Sequence, residues 1–247
     1  MRTRVFTAII LLVCAGFAAD SLNCRLVGNW PFGPSSNSAV DPARSLVFCG
    51  SGGGVYVLDI TDPANPQKLS ERIQTGGIVR DLYFDHALSR LYVACEEGGL
   101  ELWDVRTATA PYRLGVSSGL QHAWSVVVES FRAYVANRED GLAILDVSDP
   151  SQPEVLSQPD TPGDARDVSV QSGRAYVADS NSLRILDVTN PRAPVETGRV
   201  DNVFVETVVA RDTCLYVCTY DSTSVVRVYG ISNPDHPNAL GSCPITS

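Results

Sequence analysis

Residues Gly141 to Leu156 read GLAILDVSDPSQPEVL. An apolar run ends in one aspartate, Asp146, and a turn with Pro150 and Pro153 follows. The phrase recurs. VYVLDITDPANPQKL begins at Val55, LELWDVRTATAPYRL at Leu100, LRILDVTNPRAPVET at Leu183 and VRVYGISNPDHPNAL at Val226. The aspartate position holds Asp59, Asp104, Asp146, Asp187 and Gly230, at intervals of 45, 42, 41 and 43 residues. Copies so regularly spaced define an internal repeat.

Each copy follows a second recurring phrase: SLVFCGSGG, RLYVACEEGG, RAYVANREDG, RAYVADSNS and CLYVCTYDS. Before that stands a third, VRDLYFD, AWSVVVE, ARDVSVQ and VETVVAR, with a degenerate first copy around SNSAVD. After the proline turn comes a fourth, such as PEVLSQ or PVETGRV. Short Val-, Leu-, Ile- and Tyr-rich segments between Gly, Asn, Asp, Ser and Pro read as strands and turns. No window has the periodicity of an amphipathic helix longer than a turn or two. Four strands per repeat with a period in the low forties specify an all-β fold, a β-propeller of five four-stranded blades. The near-continuous apolar runs fit middle strands buried on both faces by neighbouring blades.

The 247-residue chain, 44% hydrophobic, is long enough for such a core. Its first residues, MRTRVFTAIILLVCAGFAAD, combine Arg2 and Arg4, an apolar Val5–Phe17 run and small Ala18 and Ala19. That is the pattern of a secretory signal peptide. The expected division is a signal over 1–19 and a propeller over 20–247. A lipidated Cys14 is disfavoured, because Val13 stands where Gly or Ala is expected. No other apolar stretch approaches the ~20 residues of a membrane span. Removing Arg2 and Arg4 takes the net charge from −9 to −11. An acidic chain without a basic cluster repels phosphate backbones, so nucleic acid is not expected as a partner.

Six cysteines remain beyond the signal: Cys24, Cys49, Cys95, Cys214, Cys218 and Cys243. An exported chain permits disulfides. Cys214 and Cys218 are four apart on one strand, about 13 Å at ~3.3 Å per residue, and cannot bond each other. Cys24 and Cys243 flank the mature domain and form the candidate pair.

The strings AYVADSNSLRILDVTNPRAP and AYVANREDGLAILDVSDPSQP resemble the LVIVD-repeat propellers of exported bacterial and archaeal proteins. The resemblance covers roughly Ala39 to Gly241. It implies a propeller at the cell surface, secreted or periplasmic, without an assigned reaction. Repeat two departs from the pattern with Arg106-Thr107-Ala108, and repeat five with Gly230. Ahead of the first repeat, CRLVGNWPFG (Cys24 to Gly33) matches the fourth-strand element. It is either a spare strand closing a five-bladed ring, with Cys24–Cys243 as a staple, or the outer strand of an incomplete sixth blade.

Three sets of residues are candidates for chemistry. The aspartate column could form a carboxylate ring for a metal. Its other reading is an Asx turn, in which the side chain accepts backbone N–H bonds before a proline turn. The inner-strand columns read Asn37, Asp81, Ser125, Asp167, Thr207 and, one residue earlier, Ser36, Arg80, Trp124, Arg166, Glu206. Side chains from every blade converge at a channel mouth. Arg80, Asp81, Trp124, Arg166, Asp167 and Glu206 are therefore candidates for an anion- or sugar-sized site. The competing reading is a structural belt, with Asp81 paired to Arg80 or Arg166 and the small polar groups bonded between blades. The acidic turns at Glu96–Glu97 and Glu139–Asp140 lack the alternating oxygen ligands of a calcium loop and read as hairpin turns.

Catalytic residues are sparse. The chain has three histidines, His86, His122 and His236, and only His122 falls near the channel. No nucleophile elbow, metal set or phosphate loop is present. Cys49 and Cys218 occupy the slot of Ala94, Ala136 and Ala178 and read as small buried residues. The expected protein is a monomeric, non-catalytic binding or scaffold module, without cofactor or metal, whose partner is a protein or carbohydrate of the cell envelope. The alternative is a propeller lyase or hydrolase with a channel-mouth site.

Overall fold

A computed structural model describes residues 35, 37–117, 119–220 and 224–244. The spare strand at Cys24–Gly33, the signal segment and Cys24 itself lie outside these. Twenty strands form five antiparallel four-stranded sheets, each in simple sequence order. Blade one is β1 (Asn37–Asp41), β2 (Leu46–Ser51), β3 (Gly54–Asp59) and β4 (Gln67–Gln74). Blade two is β5 (Asp81–Asp85), β6 (Arg90–Ala94), β7 (Leu100–Asp104) and β8 (Tyr112–Ser117). Blade three is β9 (Ser125–Glu129), β10 (Arg132–Ala136), β11 (Leu142–Asp146) and β12 (Glu154–Ser157). Blade four is β13 (Ala165–Gln171), β14 (Arg174–Asp179), β15 (Ser182–Asp187) and β16 (Val195–Asp201). Blade five is β17 (Val205–Arg211), β18 (Cys214–Tyr220), β19 (Ser224–Gly230) and β20 (Asn238–Pro244).

The period-2 pattern of each strand sends alternate rows of side chains to opposite neighbours. In blade two, the row Tyr83, Tyr92, Leu102 points to blade three, and Phe84, Leu91, Trp103 points back to blade one. Four buried clusters follow, one between each consecutive pair of blades. Among the described residues no buried cluster joins blade five to blade one. The inner strands likewise pack in series, β1 on β5, β5 on β9, β9 on β13 and β13 on β17.

The aspartates cap turns, as the second reading expects. Asp59, Asp104, Asp146 and Asp187 accept the amides of Thr61, Arg106, Ser148 and Thr189 at 2.7–3.0 Å. At Gly230 that bond is missing, yet the turn still closes: Asn233 accepts from Asp235 N through its side chain and from His236 N through its carbonyl.

A second contact recurs at the outer strands. A Cβ on Gly115 would lie 2.2 Å from the Pro150 carbonyl of the next blade, and one on Gly198 would lie 2.0 Å from the Asp235 carbonyl. Ser157 fills the same position in blade three and donates to the Pro191 carbonyl at 2.6 Å. Each outer strand thus offers a socket into which the next blade's proline turn sits.

Candidate functional site

The inner-strand candidates separate into an inner belt around buried Ser125 and a half-buried rim. In the belt, the Ser125 hydroxyl lies 3.0 Å from Asp81 Oδ2 and 2.7 Å from Asp167 Oδ1. Asp81 also accepts from the amides of Leu82 and of Val126 in the next blade. Asp167 repeats the pattern, accepting from Val168 and from Val208 of blade five. Through Ser125 and these amides, the carboxylates tie β5 to β9, β9 to β13 and β13 to β17. Burial pushes the Asp167 carboxyl up to about 7, and the Asp81 charge adds to the rise. Asn37 has no hydrogen bond for its buried amide, and Thr207 is exposed. The belt is therefore built from blades two to four.

The expected pairing of Asp81 with Arg80 or Arg166 does not occur. Arg80 instead pairs with Glu96, and Arg166 pairs with Glu206 and lies 3.9 Å from Asp164. The reason is geometric. Successive residues on a strand point to opposite faces, so Arg80 and Arg166 lean over the mouth while Asp81 and Asp167 turn inward.

At the rim, the guanidinium of Arg80 lies 4.2 Å from the Trp124 ring centroid and that of Arg138 lies 4.5 Å from it. Arg138 continues to Asp164 at 3.2 Å. The result is one string across blades two to five: Glu96, Arg80, Trp124, Arg138, Asp164, Arg166, Glu206. Backbone bonds fix it. Glu96 N donates to Ala123 O, and Arg138 and Ala165 exchange both backbone bonds, all at 3.0 Å. Glu96 and Arg138 take left-handed φ values of 41° and 49°, in the turn position where Gly52 has 55°.

Arg138 and Asp164 were not among the sequence candidates, and Glu96 was weighed only as part of an acidic turn. The acidic turns do form hairpins, as expected, but they also reach the mouth. The available signal was their alignment across repeats, which places Glu96 and Arg138 at one turn position. His122 stands at the same rim, its Nδ1 3.5 Å from Glu139 and 3.6 Å from Asp140. Ile78 and Phe204 occupy matching positions two residues before the Arg80 and Glu206 column and are 47% and 59% exposed. Phe204 borders an open groove of about 510 Å³ that also includes Glu139, Thr161, Gly163 and Asp164. A smaller recess of about 270 Å³, at the other end of blade two, is lined by Arg90, Asp104 and Arg106. Arg106 and Asp104 there neutralise each other at 2.6 Å.

Among the described residues no three His, Cys, Asp or Glu side chains cluster as a metal site, and no helix is long and apolar enough to cross a membrane. Cys49 is buried and its thiol is pushed up to about 11 by that burial, which keeps it unreactive at neutral pH. Cys218 is only half-buried, because its face of blade five has no blade behind it among the described residues. Cys243 is exposed on β20 and unbonded, and its expected partner, Cys24, falls outside the described residues.

Residues 121–161 and 162–202 match the LVIVD repeat. Two of the five blades are LVIVD repeats. The two matched repeats supply Trp124, Arg138, Asp164 and Arg166, the centre of the rim string. No curated protein matches the chain. Solved structures show the same fold at low identity. A protein from Lactobacillus plantarum is 16% identical with a TM-score of 0.71, over 84% of this chain and 70% of that one. The Cps50 (Swd1) β-propeller domain of Myceliophteria thermophila is 14% identical with a TM-score of 0.62, over 84% and 71%. A chain of the nidogen–laminin complex is 14% identical with a TM-score of 0.62, over 84% and 79%. Likeness at this identity extends to the propeller fold alone.

Proposed function

We propose that this chain is an exported, non-catalytic binding module that takes a protein partner at its channel mouth. The observation that carries the reading is the rim: an indole under two guanidiniums, flanked by exposed Ile78 and Phe204. Trp, Arg and Phe are the residues that dominate protein interfaces, and a rigid aromatic anchor with a charged border is their usual arrangement. The two guanidiniums already cover Trp124, which disfavours its use as a stacking platform for a sugar. The signal-like amino terminus supports export. The likeness to a chain of the nidogen–laminin complex, a fold of this kind seen with a protein, supports the partner class.

The test is capture of envelope proteins on the immobilised chain, followed by titration with the purified partner. Trp124→Ala and Arg166→Ala should weaken binding at least tenfold. Arg192→Ala, in an exposed turn at the other end of blade four, should not. Equal binding by all three variants would remove the mouth as the site. Stoichiometric metal in the purified chain would favour the enzyme instead.

A further inference from the structure

The groove of about 510 Å³ beside Phe204 carries chemistry that the rim string does not use. Its walls come from the β10–β11 hairpin, the connection between blades three and four, the β14–β15 hairpin and Phe204 just ahead of β17. Glu139 and Asp160 bring exposed carboxylates to it. Glu139 has His122 Nδ1 at 3.5 Å, and neither it nor Asp160 pairs with an arginine or lysine among the described residues. Asp164, the third carboxylate, is already met by Arg138 at 3.2 Å and Arg166 at 3.9 Å. Among the described residues no arginine or lysine lines the groove. Its surplus charge is therefore negative.

A second feature points to a ligand. Thr161 lines the groove and is 2% exposed, and its hydroxyl has no hydrogen-bond partner among the described residues. The residue type does not force this. Thr75 stands at the same position, five residues before the Arg80 and Arg166 column, and its hydroxyl donates to the Gly77 carbonyl at 2.8 Å. A buried hydroxyl left unpaired costs free energy, and an incoming N–H donor removes that cost. Phe204, 59% exposed, adds an aromatic face at the border. Carboxylates, a free hydroxyl acceptor and an aromatic ring suit one kind of side chain. A guanidinium carries five N–H donors and no acceptor, forks onto carboxylates and stacks on aromatic rings.

We propose that this groove takes an arginine side chain of the protein partner, within a basic segment of that partner. The proposal rests on the reading of the mouth as a protein-binding site and names the chemistry of what binds there. Asp160 and Glu139 supply the charge, Phe204 supplies the stacking face, and the Thr161 hydroxyl oxygen accepts one N–H. The net charge of −9 favours the approach of a basic segment over an acidic one.

The test uses the isotope-labelled full chain, titrated with Nα-acetyl-arginine amide and, separately, with the neutral citrulline amide of the same shape. Arginine amide should give saturable amide shifts at Gly163, Asp164, Asn181 and Phe204, and citrulline amide should bind at least tenfold more weakly. Asp160→Asn should weaken the arginine amide at least threefold. Thr161→Val should also weaken it, yet leave the free chain at least as stable, because the lost hydroxyl had no partner. No saturable shift at the groove, or equal binding of the two amides, overturns the proposal. So does a Thr161→Val variant that melts lower and binds arginine amide as the wild type does, since the hydroxyl would then be satisfied within the fold. The captured partner separates this proposal from the reading it rests on. If Trp124→Ala weakens the partner and Asp160→Asn does not, the groove is excluded and the mouth stands. If neither does, both fall.

Discussion

At the scale of single residues, the inner-strand belt contains a proton-counting problem. Ser125 has one hydroxyl proton and lies within bonding distance of two carboxylates, so it can donate to only one. The arrangement is complete when Asp167 is protonated, donates to Ser125, and Ser125 donates to Asp81. Burial raises Asp167 to about 7, which places that proton there below neutrality. The sign of the linkage follows. A carboxyl that ordinarily titrates near ~4 but holds its proton to about 7 in the fold contributes stability that is lost as pH rises between the two values. The full effect is on the order of 4 kcal/mol. The capping aspartates act oppositely. The hydroxyl and amide of Thr189 hold Asp187 below the usual carboxylate range, and those of Thr61 do the same for Asp59. Their contribution is present above the ordinary carboxylate value and is lost as pH falls through their lowered ones. Stability should therefore peak between the two ranges, on the mildly acidic side. Urea titrations from pH 3 to 8 would read it. Asp167→Asn should lower stability overall, since its NH₂ cannot accept from Val168, yet flatten the decline towards neutral pH. An unchanged slope in that variant would show that Asp167 does not carry the proton.

At the scale of elements, the outer strands and the turns they receive set how one blade meets the next. Gly115→Ala or Gly198→Ala drives a methyl into backbone at 2.2 or 2.0 Å and forces the blades apart, a change of the overpacking kind that costs about 1–3 kcal/mol. Gly241→Ala meets no described residue within 4 Å and should stay within about 0.5 kcal/mol. Thermal or denaturant melts of the three variants would compare them directly, and equal losses would deny the socket. The aspartate caps are separable by the same measurement. Asp146→Ala removes the bond from Ser148 N and the 3.1 Å ion pair with Arg132, and should cost about 1 kcal/mol. Repeat five, with Gly230, already lacks that cap and shows that the turn survives without it.

At the scale of the whole molecule, the repeats were legible because each blade writes the same phrase, and the phrase fixes strands, turns and blade count. The Asx caps were legible too, since an aspartate two residues before a turn amide is a local pattern. What connects blades was not. Asp81 pairs with Ser125 and Val126, 44 and 45 residues away, and not with its neighbour Arg80. Arg138 reaches Trp124 from a hairpin that reads simply as a turn. Both depend on how one sheet stacks on the next, which no single repeat records. The stacking has a thermodynamic consequence. Among the described residues, blades two, three and four are each covered by two apolar clusters, whereas blade five shares one, with blade four. In an array of this kind, stability is a sum of blades and of the joints between neighbours. Blade five should therefore open at lower free energy than blade three, as a unit of its own. Native-state hydrogen exchange would detect this as amides of β18 and β19 exchanging at least tenfold faster than those of β10 and β11. Equal protection in all five blades would instead mean that the molecule unfolds as one block.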